Sequence, residues 1–178
     1  MAELTQWVLE SIRAHGPFSV VVGVLIESVV VPLPSPLIIM GAGAILISPE
    51  LSWAGALSPM VTRIVLPGSL AATVGAFIGY GIGFWGGRPV IERLERVLGF
   101  GWTDVQAMEV RLRHRHAGWI LAALRAAPVV PLSLISIAVG LIRWPAGSFA
   151  WWTWLGSVPR CLLLGYLGWL TRDAYQGL

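Results

Sequence analysis

Three prolines at alternate positions, Pro32, Pro34 and Pro36, stand between two apolar runs, and this knot constrains the chain more than any other stretch. Residues 18–31 are apolar apart from Ser19, Gly23, Glu27 and Ser28, and residues 37–47 are apolar again. A bilayer-crossing helix takes about 20 apolar residues, and neither run supplies them. Proline lacks the backbone N–H, clashes with the carbonyl one turn back, and disfavours helix in the residue before it. The two runs therefore cannot join into one rod. The pattern predicts a re-entrant helical hairpin over residues 17–50 that enters and leaves the bilayer on one side. Broken backbone at membrane depth survives only beneath protein or beside a watery cavity. The hairpin thus implies a bundle around it and a polar site at its tip. Glu27 lies just before the break, where a carboxylate reads as functional.

Composition sets the medium. The chain is 56% hydrophobic and 12% charged, against about 25% charged in soluble domains, which makes it an integral membrane protein. Its net charge of +3 comes from arginines flanking apolar segments and carries no sign of nucleic-acid binding. Ten Trp suit interfacial belts. With one cysteine, Cys161, no internal disulfide can form.

Residues 1–16 read as an interfacial amphipathic helix, with Leu4, Val8 and Ile12 on one face. They have no long apolar core and are not read as a cleavable signal. Residues 48–68 carry Pro49, Pro59, Arg63 and Pro67, a poor span, and are expected to form an interfacial or partly inserted connection. Residues 69–87 form the first ordinary transmembrane helix, where Gly75, Gly79 and Gly83 repeat in the small-xxx-small pattern of close helix packing.

Residues 88–117 look soluble and amphipathic. Pro89 suits a first helical turn, Ile91, Leu94 and Leu98 make a stripe, and Glu92 and Arg96 form an i,i+4 pair. Thr103 with Gln106 matches a capping box, followed by a stripe of Val105, Met108 and Leu112. Six of the twelve arginines fall here, at Arg88, Arg93, Arg96, Arg111, Arg113 and Arg115. The positive-inside rule places the segment in the cytoplasm. His114 and His116 do not share a helical face, and no further ligand joins them, so no metal is expected.

Residues 118–142 repeat the opening pattern. An apolar run carrying Arg125 is broken at Pro128 and Pro131 and resumes through Ser133 and Ser136 to Gly140. Residues 148–170 form a final transmembrane helix with Pro159 and Arg160 near its middle, and residues 171–178 a polar tail. Each half thus has a proline-broken hairpin, then a glycine-containing span, with one ionisable residue before each break: Glu27 and Arg125. If residues 69–87 cross once, the hairpins enter from opposite sides. The expected fold class is an all-α integral membrane protein with two opposed re-entrant hairpins in an inverted repeat, the arrangement that places a transporter's site at midplane.

At such a site the half-helices after each break present their N-terminal N–H groups. Ser35 and Ser133 add hydroxyls, and Arg125 adds a fork of donors suited to phosphate. Burying an arginine at depth costs about 2.5–3.5 kcal/mol on insertion scales, so it needs an anionic partner. That partner is either Glu27, in a structural ion pair, or a lipid phosphate headgroup with Glu27 as proton carrier. Arg160 lines the same cavity or snorkels.

In these residues the chain resembles the DedA family, the SNARE-associated or VTT-domain superfamily. The resemblance rests on Glu27 with Pro32-Leu33-Pro34-Ser35, on Gly75 through Tyr80 to Gly87-Arg88, and on Arg125, Pro128 and Pro131 leading to Gly140, Phe149 and Gly156. It implies two opposed re-entrant hairpins and lipid transport, of undecaprenyl phosphate or phospholipids, coupled in several members to the proton motive force. It implies that Glu27 is the essential acid and Arg125 the first essential arginine. Pro36 stands where many members have an acid, Pro131 where many have a second arginine, and Ser133 and Ser136 where a related branch often has Asn.

The expectation is an inner-membrane lipid translocase for a phosphate-bearing headgroup, with residues 88–117 cytoplasmic. Its partners are an anionic lipid headgroup and a candidate coupling proton, and a homo-oligomer stays open. No cofactor, metal or nucleic acid is expected, and no paired carboxylates, nucleophile elbow or phosphate loop marks an enzyme. Two rivals remain. One is a small ion or solute transporter using the same site. The other is a non-transporting interaction protein acting through Arg111, Arg113 and Arg115.

Overall fold

The computed structural model describes residues 16–29, 36–98, 101–112, 116–127 and 132–172. The expected interfacial helix over residues 1–15, Gly99 and Phe100, the polar tail beyond Arg172, and Arg113, His114 and Arg115 lie outside the described residues, as do the proline breaks.

Helices α1 (Pro17–Val29) and α2 (Pro36–Leu46) flank the first proline stretch and pack on each other. Next comes a nearly unbroken helical run: α3 (Trp53–Met60), a π-turn (Val61–Val65), α4 (Leu66–Gly81) and a second π-turn (Ile82–Gly86). It continues into α5 (Gly87–Leu98) and is long and apolar enough to cross a membrane. Helix α6 (Trp102–Leu112) follows. Helices α7 (Ala117–Ala126) and α8 (Leu132–Leu141) flank the second proline stretch, and α9 (Ala146–Leu170) closes the described chain. All regular structure among the described residues is helical.

The helical run adds to one expectation. Residues 48–68 are expected as an interfacial or partly inserted connection; from Trp53 on they are helix, leading directly into the span expected from Ser69. The prolines are accommodated rather than avoided. Pro67 occupies the first turn of α4, where its missing N–H costs least. The π-turn just before it widens the winding, so that the N–H of Leu66 reaches Val61 O, five residues back. Ser52 caps the start, its Oγ accepting from Gly55 N at 3.2 Å. The run ends its straight course at Gly87, whose φ of +58° is open to glycine at little cost.

The α6 cap also differs. The cap lies two residues earlier than Thr103, at Gly101, and the Asp104 carboxylate reaches back to accept from Gly101 N at 2.9 Å. Arg88 pairs with Glu92 at 2.7 Å on α5; the Arg96 side chain, expected to pair with Glu92, lies outside the described ones. Val105, Met108 and Leu112 are buried as a stripe, and α6 lays it on α8.

Two long helices form the frame. Phe149 at the start of α9 stacks on Tyr80 late in α4. Cys161 lies by Gly68 early in α4, and the Tyr166 hydroxyl donates to Trp53 O at 3.0 Å. As α9 advances its contacts move back along the other run, so the two are antiparallel. The short helices are shared between them crosswise. Helix α1 packs on α4 and α2 on α9, whereas α7 packs on α9 and α8 on α4. The apolar core follows the same division. One cluster joins α1 and α2 to early α4 and late α9, and the other joins α6, α7 and α8 to late α4 and early α9.

Glycine makes both second-arm crossings close. A Cβ on Gly43 would strike Gly165 O, and one on Gly168 would strike Met40 O, where α2 meets α9. At the other crossing a Cβ on Gly83 would strike Ile137 O, and one on Gly140 would strike Tyr80 O. Of the repeated glycines that signal close packing in the sequence, Gly83 meets backbone in this way and Gly79 lies against Ser136 of α8. Helix α8, buried on every side from Leu134 to Gly140, sits at the centre of its half.

Candidate functional site

Arg125 lies in the last turn of α7 and is 1% exposed, the largest fully buried side chain described. It is held among α7, α8 and α9. Its Nη2 donates to Ser136 Oγ at 2.6 Å, and Ser136 passes its own proton to Leu132 O at 2.9 Å. The guanidinium carbon stands 5.5 Å from the centroid of the Phe149 ring, a cation–π contact. Nε is buried with no hydrogen-bond partner. Among the described residues no carboxylate forms an ion pair with Arg125.

Arg160, in the middle of α9, is 3% exposed. Its Nη1 donates to Ala127 O at 2.9 Å, and Ala127 is the residue that caps the C-terminus of α7. A cation suits that negative helix end. Arg160 therefore fixes the place where α7 stops, just ahead of the second proline stretch. The two guanidinium groups repel each other. Arg125 and Arg160 are thus buried in one basin of the interior, and a charge is costly to bury at such depth.

Of the residues singled out in the sequence, Arg125 and Arg160 come together in this basin. Ser133 lies half-buried in the first turn of α8, with its carbonyl at the α4 crossing near Gly79. Glu27 is near the C-terminal end of α1, and its side chain is outside the described ones. Pro36 opens α2. Ser35, Pro32, Pro34, Pro128 and Pro131 lie outside the described residues.

The hydroxyl that meets Arg125 belongs to Ser136, a residue not among the site residues expected from the sequence. The sequence carries a usable signal for this, since Ser136 interrupts an otherwise apolar segment at a position an amphipathic surface would not use. Sequence reasoning also passed over Thr153 and Ser157, which with Arg160 make a buried polar stripe on α9.

Chemically the site consists of donors. Arg125 Nε, and the hydroxyls near it, can bind an anion.

Comparison with known proteins gives a consistent frame. A family model described as VTT domain matches residues 33–170. Undecaprenyl phosphate transporter A of Bacillus subtilis is 26% identical over 168 residues, covering 94% of this chain and 78% of that protein. The uncharacterized membrane protein YkoX of the same organism is 26% identical over 166 residues, covering 93% of this chain and 69% of that protein. No solved structure matches the chain.

Proposed function

This chain belongs to the VTT-domain (DedA) family of membrane proteins, and on that premise we propose that it is a lipid translocase moving a phosphate-bearing headgroup, such as undecaprenyl phosphate or a phospholipid, across the bilayer. One observation carries the reading: a buried arginine, Arg125, whose Nε has no partner and whose only described hydrogen bond is to a neutral hydroxyl. A guanidinium so placed is matched to a phosphate oxyanion. The name of the Bacillus subtilis relative, a transporter of undecaprenyl phosphate, supports the same substrate class.

The crosswise packing supports two opposed re-entrant hairpins related as an inverted repeat. The first arm of each lies on the long helix that follows it in the chain, and the second arm lies on the long helix of the other half. In this reading the headgroup slips between the hairpin tips while its tails stay in the bilayer. Moving one net negative charge senses about 2.3 kcal/mol per 100 mV of potential. A proton travelling on Glu27 offsets that term and makes transport responsive to the proton gradient. The arginine-rich residues 88–117 then face the cytoplasm of a bacterial inner membrane.

The test is flipping in proteoliposomes, followed by surface accessibility of labelled phospholipid and of undecaprenyl phosphate. Arg125→Ala is expected to slow flipping by about tenfold or more, the scale of a lost charged hydrogen bond. Glu27→Gln is expected to remove dependence on an imposed pH gradient. Wild-type flipping in both variants refutes the proposal, and uptake of a soluble anion without lipid movement would replace it with solute transport.

A further inference from the structure

We infer that Thr153 is a second donor to the phosphoryl group bound at Arg125, an inference that rests on the lipid-phosphate reading above. Thr153 is completely buried, and its Oγ1 has no hydrogen-bond partner. This is unusual for a hydroxyl in a helix, which ordinarily turns back to the carbonyl one turn before it. Ser69, Thr73, Ser136 and Ser157 all do so in this protein. Thr153 leaves Phe149 O alone and keeps its proton uncommitted.

Its position places it against Arg125. Phe149, Thr153, Gly156 and Arg160 recur at helical spacing along one face of α9. A Cβ on Gly156 would stand 2.9 Å from Arg125 Cβ, so the arginine side chain begins beside that turn. Its guanidinium ends over Phe149, two turns earlier. The side chain therefore runs back along this face and passes Thr153. Two buried donors without partners, Thr153 Oγ1 on α9 and Arg125 Nε on the α7 side chain that lies against Gly156 and Phe149, thus border one another's turn of α9.

A tetrahedral phosphoryl group presents several acceptor oxygens at once, which suits one guanidinium N–H and one hydroxyl. A hydroxyl is also matched to a terminal phosphate, whose oxygens are free to accept from it. Within the site Arg125 supplies charge, Ser136 orients it, and Thr153 supplies a neutral contact.

The test uses the purified full chain in detergent, titrated with farnesyl phosphate, farnesol and inorganic phosphate. In Thr153→Val the affinity for farnesyl phosphate is expected to fall about tenfold, as for loss of a hydrogen bond to a charged group. Thr153→Ser should stay within about threefold of wild type by the same reasoning, because it keeps the donor. Farnesol binding should not change. Without ligand, Thr153→Val should melt no lower than wild type, since it removes a buried hydroxyl that no protein group satisfies. Competition by inorganic phosphate that Thr153→Val weakens would support the site and assign it to the free anion as well as the lipid. If Thr153→Val binds farnesyl phosphate normally while Arg125→Ala does not, the role of Thr153 is overturned and the lipid-phosphate reading stands. A large fall in the unliganded melting temperature of Thr153→Val, with no selective loss of phosphate binding in either Thr153→Val or Thr153→Ala, would show a structural hydroxyl and overturn the inference. Failure of the wild type to prefer farnesyl phosphate over farnesol overturns both readings.

Discussion

Gly83 and Gly140 lie on the same crossing, each opposed by a carbonyl of the facing helix. A methyl on Gly83 would strike Ile137 O, and one on Gly140 would strike Tyr80 O. Carbon-to-carbonyl contacts settle near about 3.3 Å, so either methyl must drive the α4 run and α8 apart by roughly 1 Å. Neither obstacle is the flexible end of a side chain; both are backbone, and neither can swing away. Overpacking of this kind costs about 1–3 kcal/mol, and the upper end applies here. For a chain of 178 residues each kcal/mol lowers the melting temperature by about 2–4 °C. Gly83→Ala is therefore expected to melt some 6–12 °C below wild type at about 3 kcal/mol. Once the helices have parted for the first methyl, the second meets less resistance. The double variant Gly83→Ala/Gly140→Ala should lose clearly less than the sum of the two single losses, by about 0.5–3 kcal/mol of coupling. Gly168→Ala acts at the separate α2–α9 crossing, against Met40 O, so combined with Gly83→Ala its cost should add. Gly147, with open space around its Cα, is the control: Gly147→Ala should not destabilise. The assay is thermal unfolding of the detergent-solubilised chain, read from its tryptophans. Additive losses for Gly83 and Gly140, or coupling between Gly83 and Gly168 of the same size, would refute the geometry argued for the crossings.

Three further outcomes follow from particular bonds. Ser136→Ala removes the described hydrogen-bond partner of Arg125; it should cost about 1–3 kcal/mol in stability and slow flipping in the same proteoliposome assay. Arg160→Met keeps the stem but withdraws the cation from Ala127 O; a loss of about 1–3 kcal/mol in thermal unfolding is expected, and hydrogen exchange should rise first at the end of α7. Tyr80→Phe deletes the 2.6 Å bond from its hydroxyl to Trp144 O. That should lower stability by about 1 kcal/mol and leave flipping intact, as the bond lies at the outer end of the second pair of helices.

Much of the helix layout was legible because proline punctuates it. Pro36 could only begin α2, and the runs carrying Glu27 and Arg125 had to stop before their prolines. The burial of Arg125 was legible too, since it stands in an apolar run. Pro59 and Pro67, which mark residues 48–68 as a poor span in the sequence, lie within a nearly unbroken helical run. Whether a proline breaks a helix depends on what can satisfy the neighbouring carbonyls and what covers the bend. A π-turn and the packing of α9 against Met60 and Trp53 supply both, and neither is written locally. The α6 cap was displaced for a related reason: Asp104 and Thr103 both suit a first turn, and only the fold chose Asp104 as the residue reaching back.

Alone, then, the chain of residues determined its medium, the points where its short helices must stop, and the presence of a buried charge. These follow from hydrophobicity and from backbone chemistry, which act within a few residues. The tertiary structure alone decided that the arms are dealt crosswise onto two antiparallel helices. It also decided that Ser136 meets the arginine and that the Thr153 hydroxyl is left without a partner beside it. Those outcomes depend on which faces come together across more than a hundred residues of sequence or across a proline break, and such distances are settled only when helices pack.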